Sequence, residues 1–252
     1  MKVENTGYNI SFTSGLSNFL LLKEKLISPT MEEQRLKRDY GITADFAGNK
    51  SVALANNLCA NIFNQLSKML KFDIPAPPYI TVYKKNQLID NDTYSNFCIM
   101  NETKVLKNKN KYPSGSIFFK NFKNLKQLDE MTEIMFKNNQ ISSNHFLAPI
   151  IHEWLHNIHL NIICNKYGTN GNLSDILSQK TLSAEECNII NKELGSYAAK
   201  DGNQYFEIFS ELYTQLICQS LSKNSKKLTI NPLDLIKLKS NEFQQIINKL
   251  KL

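Results

Sequence analysis

Apolar residues recur at helical spacing over a long stretch in the first third of the chain. Between Ser51 and Lys71 most of them have another apolar residue three or four positions away: Val52, Leu54, Ala55, Leu58, Cys59, Ile62, Phe63, Leu66, Met69 and Leu70. This spacing predicts an amphipathic helix. Ser51 is a suitable N-cap, and the proline-rich segment 74–78 would stop the helix.

A different period follows this helix and predicts short strands. Tyr79 to Tyr83 alternates β-branched and aromatic side chains, which is typical of a strand. Further strand candidates cover residues 97–100, 103–106 and 116–120, and a Pro-Ser-Gly turn precedes the last of them.

After Lys123 the pattern turns helical and largely stays so. The predicted helices cover residues 125–136, 144–167, 183–194 and 204–222, with one or two short ones beyond Pro232. Strands followed by helices indicate an α+β fold, here a small mixed or antiparallel sheet packed on a mainly helical C-terminal half. Residues 51–252 are predicted to form a single domain. The polar, glycine-punctuated residues 1–50 are predicted to form a partly irregular N-terminal arm with one short helix around residues 32–38.

Composition narrows the class of protein only moderately. The chain has 252 residues, enough for one well-cored domain, and a net charge of +7 that is spread over single lysines. No apolar run approaches the roughly 18 residues that a membrane span needs, and no signal-peptide core is visible. The five cysteines lack the paired spacing of a cysteine-based zinc site. We therefore expect a cytoplasmic protein, or one exported without a cleavable signal peptide.

The strongest chemical signal is an HExxH motif inside an apolar stretch. His152 and His156 stand four positions apart, so on a helix they share one face and can reach a single Zn²⁺ ion. Glu153 follows the first histidine, and in this motif it can serve as the general base that takes a proton from the attacking water. Pro149 fits near the start of such a helix, where its missing N–H costs little.

A catalytic zinc site needs a third protein ligand. His159 shares the histidine face, but its backbone lies about 10 Å along the helix axis from His152, so an outer or surface role is expected for it. The alternative is a glutamate from the later helix, where Glu207 and Glu211 stand one turn apart among apolar residues. One of them can coordinate the metal while the other accepts an N–H from a ligand histidine. Otherwise the two glutamates would mark the solvent face of that helix.

These pieces together resemble the gluzincin metallopeptidases, and among them the anthrax lethal factor-like group. Those proteins carry HExxH, then a Ser-Tyr segment, then a helix that begins close to Glu-Phe-Phe-Ala-Glu. The matching pieces here are His152 to His156, Ser196-Tyr197 and Glu207 to Glu211. The resemblance covers about 60 residues and implies a zincin-like fold. It also implies Glu207 as third zinc ligand, Tyr197 as donor to the oxyanion and Glu211 as a carboxylate behind a ligand histidine.

Two departures from that pattern are visible. Tyr197 and Glu207 are ten positions apart, a few more than usual, so Tyr205 competes with Tyr197 for the role of oxyanion donor. Ser210 stands where the pattern has Ala. By analogy with such peptidases, residues 116–120 would form the strand that holds the substrate by β-augmentation.

The sequence thus predicts a zinc-dependent endopeptidase that acts on a peptide or protein substrate, with Zn²⁺ as its cofactor. Two alternatives are a catalytically inactive zincin-like module that binds a protein, and a basic nucleic-acid-binding protein that uses the lysine cluster at residues 104–111. The second alternative is disfavoured because no aromatic platform or binding motif accompanies the cluster.

Overall fold

The fold is known from a computed structural model that describes residues 17–71, 73–83, 95–97, 112–167, 183–199 and 204–221. At residues 70, 95–97, 162–167 and 204–206 only the backbone is described. The predicted strand at residues 103–106, the helices beyond Pro232 and most of the predicted strand at residues 97–100 lie outside the described residues.

The described residues form seven helices and one small sheet, and helix predominates. The helices are α1 (Asn18–Leu26), α2 (Pro29–Tyr40), α3 (Lys50–Leu70), α4 (Leu125–Lys137), α5 (Ala148–Tyr167), α6 (Ala184–Leu194) and α7 (Gln204–Leu221). The strands are β1 (Thr43–Asp45), β2 (Tyr79–Val82), β3 (Ser95–Phe97) and β4 (Ile117–Phe119). The predicted α+β class is confirmed, and each predicted helix within the described residues is present. No helix in these ranges is both long and apolar enough to cross a membrane.

The sheet is mixed, with the strand order β1-β2-β4-β3. β1 pairs with β2 and β2 with β4 in parallel, whereas β3 runs antiparallel to β4 and places Asn96 opposite Phe118. β4 therefore lies between two strands, and the expectation that residues 116–120 form a substrate-holding edge is wrong. All three residues of β4 are fully buried, as expected for a strand covered on both faces and paired on both edges.

The start of α3 differs in detail from the prediction. The N-cap is Asn49, whose Oδ1 accepts the N–H of Val52 at 2.8 Å, while its Nδ2 donates to the carbonyl of Phe122 at 2.7 Å. Ser51 lies inside the helix, and its hydroxyl donates to Oε1 of the buried Glu24 at 2.6 Å. The prediction of Ser51 as N-cap is wrong because the helix begins at Lys50 and Ser51 is needed to pair with Glu24.

The described part of residues 1–50 packs into the same core as the rest of the chain. Leu20 of α1, Leu36 of α2 and Ile42 belong to the main hydrophobic cluster, and β1 forms an edge of the sheet. The helix expected around residues 32–38 is α2, and α1 precedes it. The division into an arm over residues 1–50 and one domain over residues 51–252 stays a prediction.

Helix α5, which carries the HExxH motif, runs through the centre of the described structure. It packs against α7, α3 and β3. The Trp154 ring stacks on Phe63 of α3 with 5.3 Å between ring centroids, and its indole N–H donates to Oδ1 of Asn56 at 3.0 Å. Every residue from Ile150 to Leu160 is buried. The packing thus fixes the rotation of α5 and with it the direction of the motif.

The turn before β4 lies against Asn157 of α5, so a larger side chain in this turn would test the packing. Gly115 has a φ of 89°, and a β-carbon there would overlap Oδ1 of Asn157, whose Nδ2 donates to the carbonyl of Pro75. Gly48 has a φ of 79° but open space around it. We expect G48A to cost about 1 kcal/mol through backbone strain, and G115A to cost about 1–3 kcal/mol more through the overlap. Chemical denaturation of both variants measures the difference, and equal losses would contradict the close approach.

Candidate metal centre

The two histidines of the motif meet on one face of α5. His152 and His156 are one turn apart, with 4.4 Å between ring centroids and the ring planes nearly perpendicular. Their exposed fractions are only 6% and 3%. Since i and i+4 positions of a helix are neighbours on its surface, the spacing in sequence leads directly to this juxtaposition.

Helix α7 brings a carboxylate to the same point. Oε2 of Glu207 lies 3.1 Å from Nε2 of His152 and 3.4 Å from Nε2 of His156. One ligand atom from each of these three residues lies within 4.8 Å of the other two, so the buried group could hold a metal ion. The structure therefore brings together the three residues that the sequence singled out as metal ligands.

The charge and hydrogen bonding of the Glu207 carboxylate are compatible with a cation between these three ligand atoms. Its Oε2 is buried and forms no well-directed hydrogen bond with any described residue, although it faces two imidazoles. Burial alone would raise the pKa of this carboxyl, but the neighbouring His156 and His152 outweigh burial and lower the pKa to about 2. Glu207 is therefore an ionised carboxylate inside the protein, and two imidazoles plus one carboxylate form a donor set that binds zinc.

Glu211 stands behind His152. Its Oε1 lies 2.9 Å from Nδ1 of His152, while its Oε2 accepts the backbone N–H of Ser142 at 2.8 Å. Burial opposes the charged form of His152, but the carboxylates of Glu211 and Glu207 outweigh it and hold the pKa of this imidazole well above its usual value. A carboxylate at Nδ1 orients the ring and leaves Nε2 directed at Glu207, as is usual for metal-ligating histidines.

Both glutamates of α7 are thus turned inward. Glu207 is 7% exposed and Glu211 only 1%. The alternative that they mark the solvent face of α7 is wrong. The apolar faces of α5 and α7 meet here, and the glutamates lie in that interface because the histidines and the Ser142 backbone offer them partners.

Tyr197 lies beside this group at the end of a tightly held loop. Ser196 and Tyr197 donate their backbone N–H groups to the carbonyls of Asn139 and Gln140 at 2.6 and 3.2 Å. Gly195 has a φ of 99°, and a β-carbon there would overlap the backbone of Gln140. The Tyr197 ring lies 6.0 Å from that of His152, and the residue as a whole is 46% exposed.

The hydroxyl of Tyr197 is held in its protonated form. The negative charge of Glu207 acts first, followed by burial and the charge of Glu153, and together they raise its pKa above the usual range. A tyrosine in this state can donate a hydrogen bond to a developing negative charge. The side chain of the competing Tyr205 lies outside the described residues.

His159 takes no part in the three-residue group. It is 2% exposed, and its ring packs on Phe209 with 4.5 Å between centroids. Burial, helped by the nearby His156, lowers its pKa to about 3, so the imidazole is neutral. The surface role considered for His159 is wrong, and a role behind the metal ligands stays a prediction.

Two other groups had no role predicted for them from the sequence. The hydroxyl of Ser210 lies 2.8 Å from Nδ1 of His156, and both side chains are buried. Tyr83, at the end of β2, has a buried hydroxyl without a hydrogen-bond partner among the described residues. Burial and the charge of Glu153 raise the pKa of Tyr83. The contact of Ser210 with His156 follows from the packing of α7 against α5.

Comparison with known proteins identifies no relative of this chain. No family model matches the chain, and searches of curated proteins and of solved structures also found no match. What can be inferred about function therefore depends on the residues and their geometry.

Binding of a divalent metal at this group should stabilise the fold. At a free Zn²⁺ concentration about 100 times the dissociation constant, the free energy of unfolding should rise by about 2.7 kcal/mol, because only the folded chain assembles the site. The increase should disappear in H152A and E207Q and persist in E130Q, which changes an exposed glutamate of α4. Thermal unfolding with Zn²⁺ or a chelator measures the effect. An E207Q protein stabilised as much as the wild type would contradict the ligand assignment.

Proposed function

We propose that the protein is a zinc-dependent endopeptidase of the gluzincin type, with His152, His156 and Glu207 as the zinc ligands. The observation that carries this proposal is the buried convergence of two imidazole nitrogens and one ionised carboxylate, with Glu153 directly after the first histidine. The lethal factor-like resemblance and a zincin-like fold are part of the same proposal.

The donor set favours zinc over harder cations. Mg²⁺ and Ca²⁺ prefer oxygen ligands, whereas two histidines and one carboxylate leave a fourth position open on a catalytic zinc. When bound, Zn²⁺ would polarise the substrate carbonyl and lower the pKa of water at the site. This is the chemistry that hydrolysis of an unactivated amide needs.

The residues of the chain supply the remaining steps. Glu153 accepts a proton from the attacking water and delivers it to the leaving amine. Tyr197, protonated and half exposed beside His152, donates its hydroxyl to the oxyanion that develops on the substrate carbonyl.

The sheet supports a peptide as the substrate. β3 pairs with β4 on one side, has no strand partner on its other side within the described residues, and packs against α5. A strand that lies at the edge of the described sheet and packs on the motif helix could bind an extended peptide through backbone hydrogen bonds. β3 replaces residues 116–120 as the proposed substrate-holding strand.

The alternative of an inactive protein-binding module requires the same fold but no hydrolysis. The alternative of nucleic-acid binding relies on residues 104–111, which lie outside the described residues. The expected localisation also stays a prediction.

Replacement of the general base should separate binding from hydrolysis. E153Q should keep stoichiometric zinc and lose at least about 100-fold in hydrolysis, because a carboxamide cannot take the proton. A mixture of fluorescence-quenched peptides measures the rate, metal analysis measures the zinc, and E130Q serves as the matched control. Full activity in E153Q would refute the assignment of Glu153. Zinc binding by the wild type without any cleavage would favour the binding module.

Removal of the Tyr197 hydroxyl should affect turnover more than binding. We expect Y197F to lower kcat by about 100-fold or more, the effect of losing one oxyanion donor, while KM and zinc content change little. Y205F should behave like the wild type. Steady-state kinetics on a peptide cleaved by the wild type decides between the two tyrosines, and the opposite result would assign the role to Tyr205.

A further inference from the structure

Ser210 occupies a position between the two functional glutamates of α7. It follows Glu207 by three residues and precedes Glu211 by one, and its side chain is completely buried. Its Oγ lies 2.8 Å from Nδ1 of His156. The two histidines therefore meet different partners at Nδ1: His152 meets a carboxylate of Glu211 and His156 meets a hydroxyl.

The position of His156 restricts where its proton can lie if it is to bind a metal. Its Nε2 faces Oε2 of Glu207 at 3.4 Å, on the side where the three ligand atoms converge. A neutral imidazole binds a metal through the nitrogen that lacks a proton, so the proton must then lie on Nδ1. With the proton there, the imidazole N–H donates and Ser210 Oγ accepts. The opposite tautomer would direct an N–H into the cation position.

We propose that Ser210 is a positioning residue that fixes the tautomer and the ring orientation of His156 for metal binding. This inference rests on the proposed function, because it takes His156 as a ligand. It goes beyond the HExxH pattern, in which position 210 has no assigned task, and the lethal factor-like pattern has at that position an Ala without a hydroxyl.

The unequal partners have a consequence for the two ligands. A carboxylate acceptor makes a histidine more basic than a hydroxyl acceptor does, and it orients the ring more strongly. Glu211 is in turn held by the Ser142 backbone N–H. At Nδ1, His152 therefore has the stronger partner, whereas His156 meets a neutral hydroxyl there.

Loss of the Ser210 hydroxyl should weaken metal binding in a recognisable way. S210A leaves the Nδ1–H of His156 without this acceptor in a buried site, and loss of such a partner lowers metal affinity by about 10–100-fold. S210T keeps a hydroxyl at the same position and should recover most of the affinity. S220A, on the exposed last turn of α7, makes the same chemical change away from the site and should have no effect.

The experiment uses the full-length chain, stripped of metal and titrated with Zn²⁺ in competition with a chromophoric chelator. The wild type, S210A, S210T, S220A and H156A are compared, and the Co²⁺ form of each gives an absorption spectrum that reports ligand geometry. Thermal unfolding of the metal-free proteins provides the control for stability. We expect S210A to bind more weakly, with an altered Co²⁺ spectrum and an unfolding temperature close to that of the wild type.

The possible results separate this proposal from the one on which it rests. Equal affinity and an equal Co²⁺ spectrum in S210A and the wild type would overturn the role of Ser210 and leave the metal centre intact. Weaker binding with an unchanged spectrum and a lower unfolding temperature would also overturn it, because the hydroxyl would then be merely structural. A wild-type chain without zinc affinity, or an H156A chain with wild-type affinity, would overturn both proposals.

Discussion

Two imidazoles and a carboxylate that lie together away from water set the main constraint on this structure. Glu207 is ionised although it is buried, and an ionised carboxylate in an apolar interior is strongly unfavourable unless charges or hydrogen bonds compensate it. His152 and His156 supply that compensation from α5. Each of these residues would be costly alone at the interface of α5 and α7, and together they form a group suited to a divalent cation.

The surrounding packing maintains this arrangement. Trp154 ties α5 to α3 through stacking on Phe63 and a hydrogen bond to Asn56. Ser142, in the segment that leads into α5, makes two hydrogen bonds to Glu211. Its backbone N–H donates to Oε2 of the Glu211 side chain, and its hydroxyl donates to the backbone carbonyl of Glu211. Because interiors are close-packed, a rotation of either helix would disturb many contacts at once. Because folding already orders these side chains, the group would need little reorganisation to hold a metal ion.

A loop and a short strand accompany the helices around the group. The loop after α6 carries Tyr197 and is held by backbone hydrogen bonds to Asn139 and Gln140, and the short β3 lies at the edge of the described sheet and packs on α5. The packed helices α5 and α7 therefore hold the charged groups, while Tyr197 lies on a loop that backbone hydrogen bonds keep in place.

The sequence alone determined what depends on local periodicity. It predicted every described helix except α1, the strands at β2 and β4, and two histidines on one face of α5, because these follow from spacings within one element. The tertiary structure decided which faces meet. Glu207 and Glu211 face inward, and His159 is buried against Phe209. The N-cap of α3 is Asn49, and β4 lies inside the sheet. The tertiary structure also set Ser210 against His156, a contact between residues 54 positions apart. Periodicity shows which residues share a face of an element, but the partner of that face depends on how all the elements pack together.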